Sequence, residues 1–186
     1  KFLNLVCYQF LDIIRRQNDI KLEELIISFP DNYINVEIKQ QGTTGLFALE
    51  KVLELMETLD EDYDTFDRIV LASFHESVYQ KIKSYADDED TELMFSPQES
   101  SIRNFVILEK TRLDVIYRDP ITVFQLPTIQ QGILFAKPTF ISKAHAHNIA
   151  VHYWTINDPD EMERLIEIGA DGIMTDRPHL LADILG

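Results

Sequence analysis

Residues 149–178 read IAVHYWTINDPDEMERLIEIGADGIMTDRP, and this stretch decides the fold class. Residues 150–156 are rich in β-branched and aromatic side chains, which predicts a buried strand. Asn157, Asp158 and Pro159 stop that strand and open a helix, with Asp158 as N-cap and Pro159 in the first turn. Met162, Leu165, Ile166 and Ile168 fall on helical spacing, and Gly169 closes the helix. Residues 171–176 predict a second short strand, so the unit is a right-handed βαβ with parallel strands. Parallel strands need helices on both faces, which means an α/β barrel or a doubly wound sheet.

The wording of residues 151–181, VHYWTINDPDEMERLIEIGADGIMTDRPHLL, closely resembles the last two strands of the glycerophosphodiester phosphodiesterase family. The shared pattern is a Trp-Thr-Ile-Asn strand (Trp154 to Asn157), a short helix, and the Gly169-to-Pro178 close. Three earlier pieces agree in order: Asn35-Val36-Glu37-Ile38-Lys39, Val70-Leu71-Ala72-Ser73-Phe74, and Phe124-Gln125-Leu126-Pro127. Together they cover residues 21–185. The resemblance implies a (β/α)8 TIM-barrel type α/β fold, here incomplete, with about the last five strands present. It also implies hydrolysis of glycerophosphodiesters to glycerol 3-phosphate and an alcohol, in phospholipid and glycerol metabolism, as part of a longer chain. The family's His-Arg-Gly strand, Glu-x-Asp strand and His-Asp loop do not occur here. Those segments carry both catalytic histidines and two of three metal-binding carboxylates, so no catalytic residue is assigned and the chain alone is expected to be inactive. The alternative is a non-catalytic barrel remnant acting as a binding or scaffolding module.

Composition narrows the partners. A complete eight-fold barrel usually needs ~250 residues, and this chain has 186. Seventeen basic residues against 32 acidic give a net charge of −15, which argues against nucleic acid as a partner. The same charge repels anionic membranes and phosphorylated substrates at long range, and a divalent cation would offset that locally. The single cysteine, Cys7, sits among apolar residues as a core filler and excludes an internal disulfide. Every long apolar run is interrupted by Asn, Gln or Asp, so neither a signal peptide nor a membrane span is read. A cytoplasmic location is favoured, and an N-terminus that begins with Lys leaves a secreted or membrane-anchored protein open.

Two segments are distinguished. Residues 1–20 form an N-terminal helical segment of unclear origin, with an amphipathic helix over 2–16, and residues 21–186 form the C-terminal part of the barrel. Helices are predicted over 21–29, 75–86, 139–148 and 178–185, with one more within 97–108. Another follows a cap at Thr43 or Thr44 and buries a stripe of Leu46, Leu49, Leu53 and Met56. Strands are predicted over 34–39, 68–74, 93–96 and 121–126. Acidic loops are expected at 60–64 and 87–92, because blocks of like charge repel and stay solvated. An incomplete barrel would expose strand edges, so a missing N-terminal segment or a second copy of the chain is an expected partner.

Glu37 and Lys39 are two residues apart on a strand whose other face is Ile34, Val36 and Ile38. Charges on the inner face at the C-terminal end of a barrel strand face the active site, although a plain Glu–Lys salt bridge would satisfy them too. The resemblance assigns Glu37 as a metal ligand for Ca or Mg and Lys39 as the phosphate-binding residue. It makes Trp154 a substrate-binding wall at the mouth of a later strand. Ser73 and Gln125 are candidates for lining the pocket of a small-molecule phosphodiester, and backbone bonding or packing would explain them equally. His152 is read as structural. His75, His145, His147 and His179 show no ligand spacing.

Overall fold

The computed structural model describes residues 21–87, 93–111, 117 and 121–186. The helix expected over 2–16, Cys7, and the 87–92 loop beyond its first residue lie outside the described residues. Two compact units divide the chain, one running Ile20–Thr122 and the other containing Val123–Gly186.

The first unit is built on β1 (Ile34–Glu37) and β2 (Ile69–Ala72), paired in parallel from Ile34↔Ile69 to Glu37↔Ala72. Phe95 adds a single parallel bridge to Leu71 where a strand over 93–96 was expected. Its flanking bonds are Leu71 N–H to Met94 O (3.0 Å) and Ser96 N–H to Leu71 O (2.9 Å). With neighbours on both sides, all four residues of β2 are buried, and they are accordingly apolar.

The Gly42–Tyr63 helix packs on the Glu76–Ala86 helix, which buries Val78, Tyr79 and Ile82. Its buried stripe is Gly45, Leu49, Leu53 and Met56. Gly45 replaces the expected Leu46 in that stripe, because a Cβ at position 45 would collide with Gln40 O and lie 2.8 Å from Val78 Cγ2. Neither Thr43 nor Thr44 caps this helix. Gln41 is the N-cap, without a side-chain cap bond, and Gly45 N–H reaches back to Gln41 O (3.2 Å).

The acidic stretch 60–64 is helical to Tyr63 rather than a loop. Asp64 then adopts a left-handed φ of 46° and starts the short Thr65–Arg68 helix. Asp60 Oδ1 accepts from Phe66 N–H (3.1 Å) and Thr65 Oγ1 donates to Met56 O (2.7 Å), so one of the acidic residues serves as a cap.

Arg68 closes this corner from inside. It is buried, and Nη1 donates to Phe29 O (3.0 Å) and Asn32 O (2.9 Å) while Nη2 donates to Ile26 O (3.0 Å). Nε donates to Tyr63 O. Two of these carbonyls follow the end of the Leu22–Ser28 helix and one lies within it, where intrahelical partners run out.

The second unit is a parallel three-stranded sheet in the order β3 (Val123–Leu126), β6 (Ala150–Tyr153), β7 (Gly172–Ile173). Asp158 caps the Pro159–Glu167 helix by accepting from Glu161 N–H (3.1 Å), and Gly169 turns the chain at a φ of 93°. The Pro138–Ala146 helix covers one sheet face. Its Phe140 lies 5.8 Å from the Phe124 ring and 5.5 Å, edge-on, from Phe135. A hairpin that the sequence did not suggest, β4 (Ile129–Gln130) with β5 (Ile133–Leu134), turns at Gln131 and Gly132. Both turn residues have positive φ, 50° and 77°, as the tight two-residue hairpin turn demands. The chain ends in the Pro178–Leu185 helix. Among the described residues the strands form three separate sheets and no closed barrel.

Candidate active site

Ladder pairing of β1 stops at Glu37, and one further bond, Ile38 N–H to Ala72 O (2.8 Å), carries the chain outward. Lys39 follows, and its Nζ lies 3.6 Å from Glu37 Oε2. The two side chains retain 53% (Lys39) and 28% (Glu37) of their exposure, so the pair is long and wet. Such a pair contributes about 0–1 kcal/mol, too little to explain two charges at a strand end by stability.

Ser73, by contrast, is buried, and its hydroxyl is committed to the backbone. Oγ donates to Ile38 O (2.8 Å) and accepts from His75 N–H (3.2 Å). His75 lies half-buried before the Glu76–Ala86 helix, and its Nε2 is 2.9 Å from Lys39 O. The first unit therefore brings together Glu37, Lys39, Ser73 and His75. His75 is a member that sequence reasoning missed, because its bond to residue 39 spans 36 positions.

A divalent cation of the Ca or Mg kind takes six or more oxygens. Glu37 supplies two at most. Among the described residues no group of three or more His, Cys, Asp or Glu side chains could hold a metal ion. The described residues thus do not make a complete cation site, and Lys39 beside Glu37 adds a positive charge that a cation would have to displace.

Gln125 and Trp154 belong to the second unit. Gln125 is half-buried on β3, in register with His152 on β6. Trp154 lies just beyond β6, half-buried, with its backbone N–H donating to Leu126 O (3.0 Å). The Trp154–Thr155 peptide is cis. The residues behind the Trp-Thr-Ile-Asn and Thr-Asp-x-Pro wording tie two loops together. Asn157 Oδ1 accepts from Thr175 Oγ1 (2.9 Å) and Asp176 N–H (2.9 Å), while Asn157 Nδ2 donates to Asp176 Oδ2 (2.9 Å).

The model of the glycerophosphoryl diester phosphodiesterase family matches residues 14–180 of this sequence. The chain belongs to that family. Among individual relatives, the probable glycerophosphodiester phosphodiesterase 2 of Mycobacterium tuberculosis is 26% identical over 172 residues, covering 88% of this chain and 59% of the relative. Lysophospholipase D GDPD1 of Mus musculus is 26% identical over 187 residues, covering 88% of this chain and 55% of its own. The chain spans little more than half the length of these curated relatives. The crystal structure of a glycerophosphodiester phosphodiesterase from Agrobacterium tumefaciens superposes with a TM-score of 0.58 at 17% identity, over 90% of this chain and 62% of that one. That from Parabacteroides distasonis gives 0.57 at 18%, over 88% and 63%. Likeness at this identity shows the fold, a TIM-barrel-type α/β architecture.

The remaining histidines of this family member have their own surroundings. His145 Nε2 is 2.7 Å from Asp171 Oδ2, an oxygen that also accepts from Val151 N–H (2.8 Å). His147 follows the Pro138–Ala146 helix, and His179 lies in the first turn of the last helix.

His152 is 3% exposed and packs its ring against Gly172, where an added Cβ would come within 2.5 Å of Cδ2. Its Nδ1 has no hydrogen-bond partner among the described residues. Burial lowers its pKa to about 4, against a smaller opposing pull from Asp171. The unfolded chain, with an ordinary imidazole near 6.5, then binds the proton that the native state refuses. Stability from a neutral His152 is whole above pH ~6.5 and is lost as pH falls toward 4, by an amount on the order of 3 kcal/mol. Urea unfolding followed from pH 7 to 4 should show this slope in the wild type and a flatter one in His152→Gln. Equal slopes would mean that His152 is not the group responsible.

Proposed function

We propose that the protein containing this chain hydrolyses glycerophosphodiesters: water adds to phosphorus, the bond to the alcohol oxygen breaks, and glycerol 3-phosphate and an alcohol leave. Family membership supports this reaction class. The observation that carries the proposal to particular atoms is the Glu37–Lys39 pair at the open end of β1, too long and too exposed to be a stability device. In this reading Lys39 donates from Nζ to a phosphate oxygen, and in a chain carrying a net charge of −15 it is a local cation that admits an anionic substrate. Glu37 is read as one ligand of a divalent cation, Ca or Mg, completed by residues outside the described ones. When bound, such an ion would draw charge from the phosphoryl oxygens. Within the second unit taken by itself, Trp154 is read as a flat apolar surface for substrate, and Gln125 as a polar group on the strand beside it.

Kinetics of full-length Lys39→Met test the assignment. Loss of a charge-assisted bond to phosphate, worth roughly 1.5–3 kcal/mol, should lower kcat/KM for glycerophosphocholine by about ten- to a hundred-fold. The melting temperature should stay close to that of the wild type, since an exposed pair adds little stability. Unchanged efficiency with a lowered melting temperature would make Lys39 a partner of Glu37 only.

A further inference from the structure

Beyond residue 38 the β1–β2 ladder no longer holds the chain, yet this is where Lys39 must be placed. The carbonyls of Ile38 and Lys39 are taken by side chains from the turn after β2. Ser73 Oγ donates to Ile38 O (2.8 Å), and His75 Nε2 stands 2.9 Å from Lys39 O. A peptide carbonyl only accepts, so the imidazole presents its N–H there. Ser73 Oγ also takes the backbone N–H of His75 (3.2 Å), which holds the donor in place. We infer that His75, braced by Ser73, is a positioning residue that fixes the main chain of Lys39 and so the reach of its ammonium. The inference rests on the reading of Lys39 as the phosphate contact. Ser73 is buried and its loss would disturb packing, whereas His75 is half-buried and its bond ends on the residue in question. The global fold gains little from a half-solvated bond; what that bond controls is local placement.

The test uses full-length protein and glycerophosphocholine turnover. His75→Ala and His75→Leu both remove the N–H, one with and one without the side-chain volume. Each should lower kcat/KM by about ten-fold, while the melting temperature moves little. His75→Gln, which keeps an amide N–H near the Nε2 position, should restore efficiency to within about two-fold. In a Lys39→Met background, His75→Leu should cost nothing further, because residues acting through one group are not additive. An additive loss in that background, or no rescue by glutamine, would overturn the inference. So would His75→Leu at wild-type efficiency beside a defective Lys39→Met. A wild type without turnover, or a Lys39→Met protein at full efficiency, would overturn the functional reading and this inference with it.

Discussion

Arg68→Met is expected to destabilise the first unit by about 3–5 kcal/mol, a large share of the ~5–15 kcal/mol that holds a typical domain. Arg68 is 6% exposed, and its guanidinium donates to carbonyls of Ile26, Phe29, Asn32 and Tyr63. These lie on the first helix, the turn after it, and the end of the long Gly42–Tyr63 helix. Hydrogen bonds to a charged donor contribute roughly 1.5–3 kcal/mol each, but four bonds from one group are not additive, and carbonyls near a helix end recover some water. Methionine keeps most of the apolar stem, so the loss reports the bonds rather than a cavity. Arg68→Lys should recover less than half of it, because a single ammonium cannot span carbonyls that a planar fork reaches in several directions. Urea denaturation of the three proteins decides this. An unfolding free energy for Arg68→Met within about 1 kcal/mol of wild type would show that the carbonyls do not depend on the guanidinium.

The second large effect lies at the end of β1. Glu37→Gln removes a charge and little else: the side chain keeps its size, and the ion pair that it breaks is long and half in water. Stability should change by less than about 1 kcal/mol. With Glu37 as the proposed cation ligand, the proposed Ca- or Mg-dependent turnover of the full-length protein should fall at least about a hundred-fold, since stabilisation of the reacting phosphoryl charge is lost. Titration calorimetry with the metal salt alone supplies a readout independent of turnover, and affinity should fall in parallel. Near wild-type metal affinity and turnover in Glu37→Gln would remove Glu37 from the ligand set.

These two residues were not equally legible. Glu37 and Lys39 could be picked out because a two-residue period against an apolar face is a local signal, and the 3.6 Å pairing agrees with that spacing. Arg68 gave no such signal; it read as the first residue of a strand, whereas it ends a four-residue helix and is buried. The acidic run at 60–64 was misjudged for a related reason. Like charges repel only if they share a space, and on a helix flank they point apart while Asp60 is used as a cap. The 129–134 hairpin escaped because its turn is Gln131-Gly132, and only the left-handed φ of both residues reveals it.

By itself the sequence determined the family, the parallel βαβ unit of β6 and β7, the Asp158 cap, the Gly169 turn and the last helix. Each of those signals acts within a few residues, through side-chain period, a capping oxygen or a permitted φ, and so survives in a one-dimensional reading. Tertiary structure alone decided what Arg68 binds, why Gly45 has no side chain, and which donors hold the backbone of Ile38 and Lys39. Those partners are separated by 35 to 42 positions in the cases of Ser73 with Ile38, His75 with Lys39, and Arg68 with Ile26. Parallel pairing of β1 with β2 is what carries them to within hydrogen-bond reach, because two parallel strands must be joined by a long crossover that leaves their ends side by side.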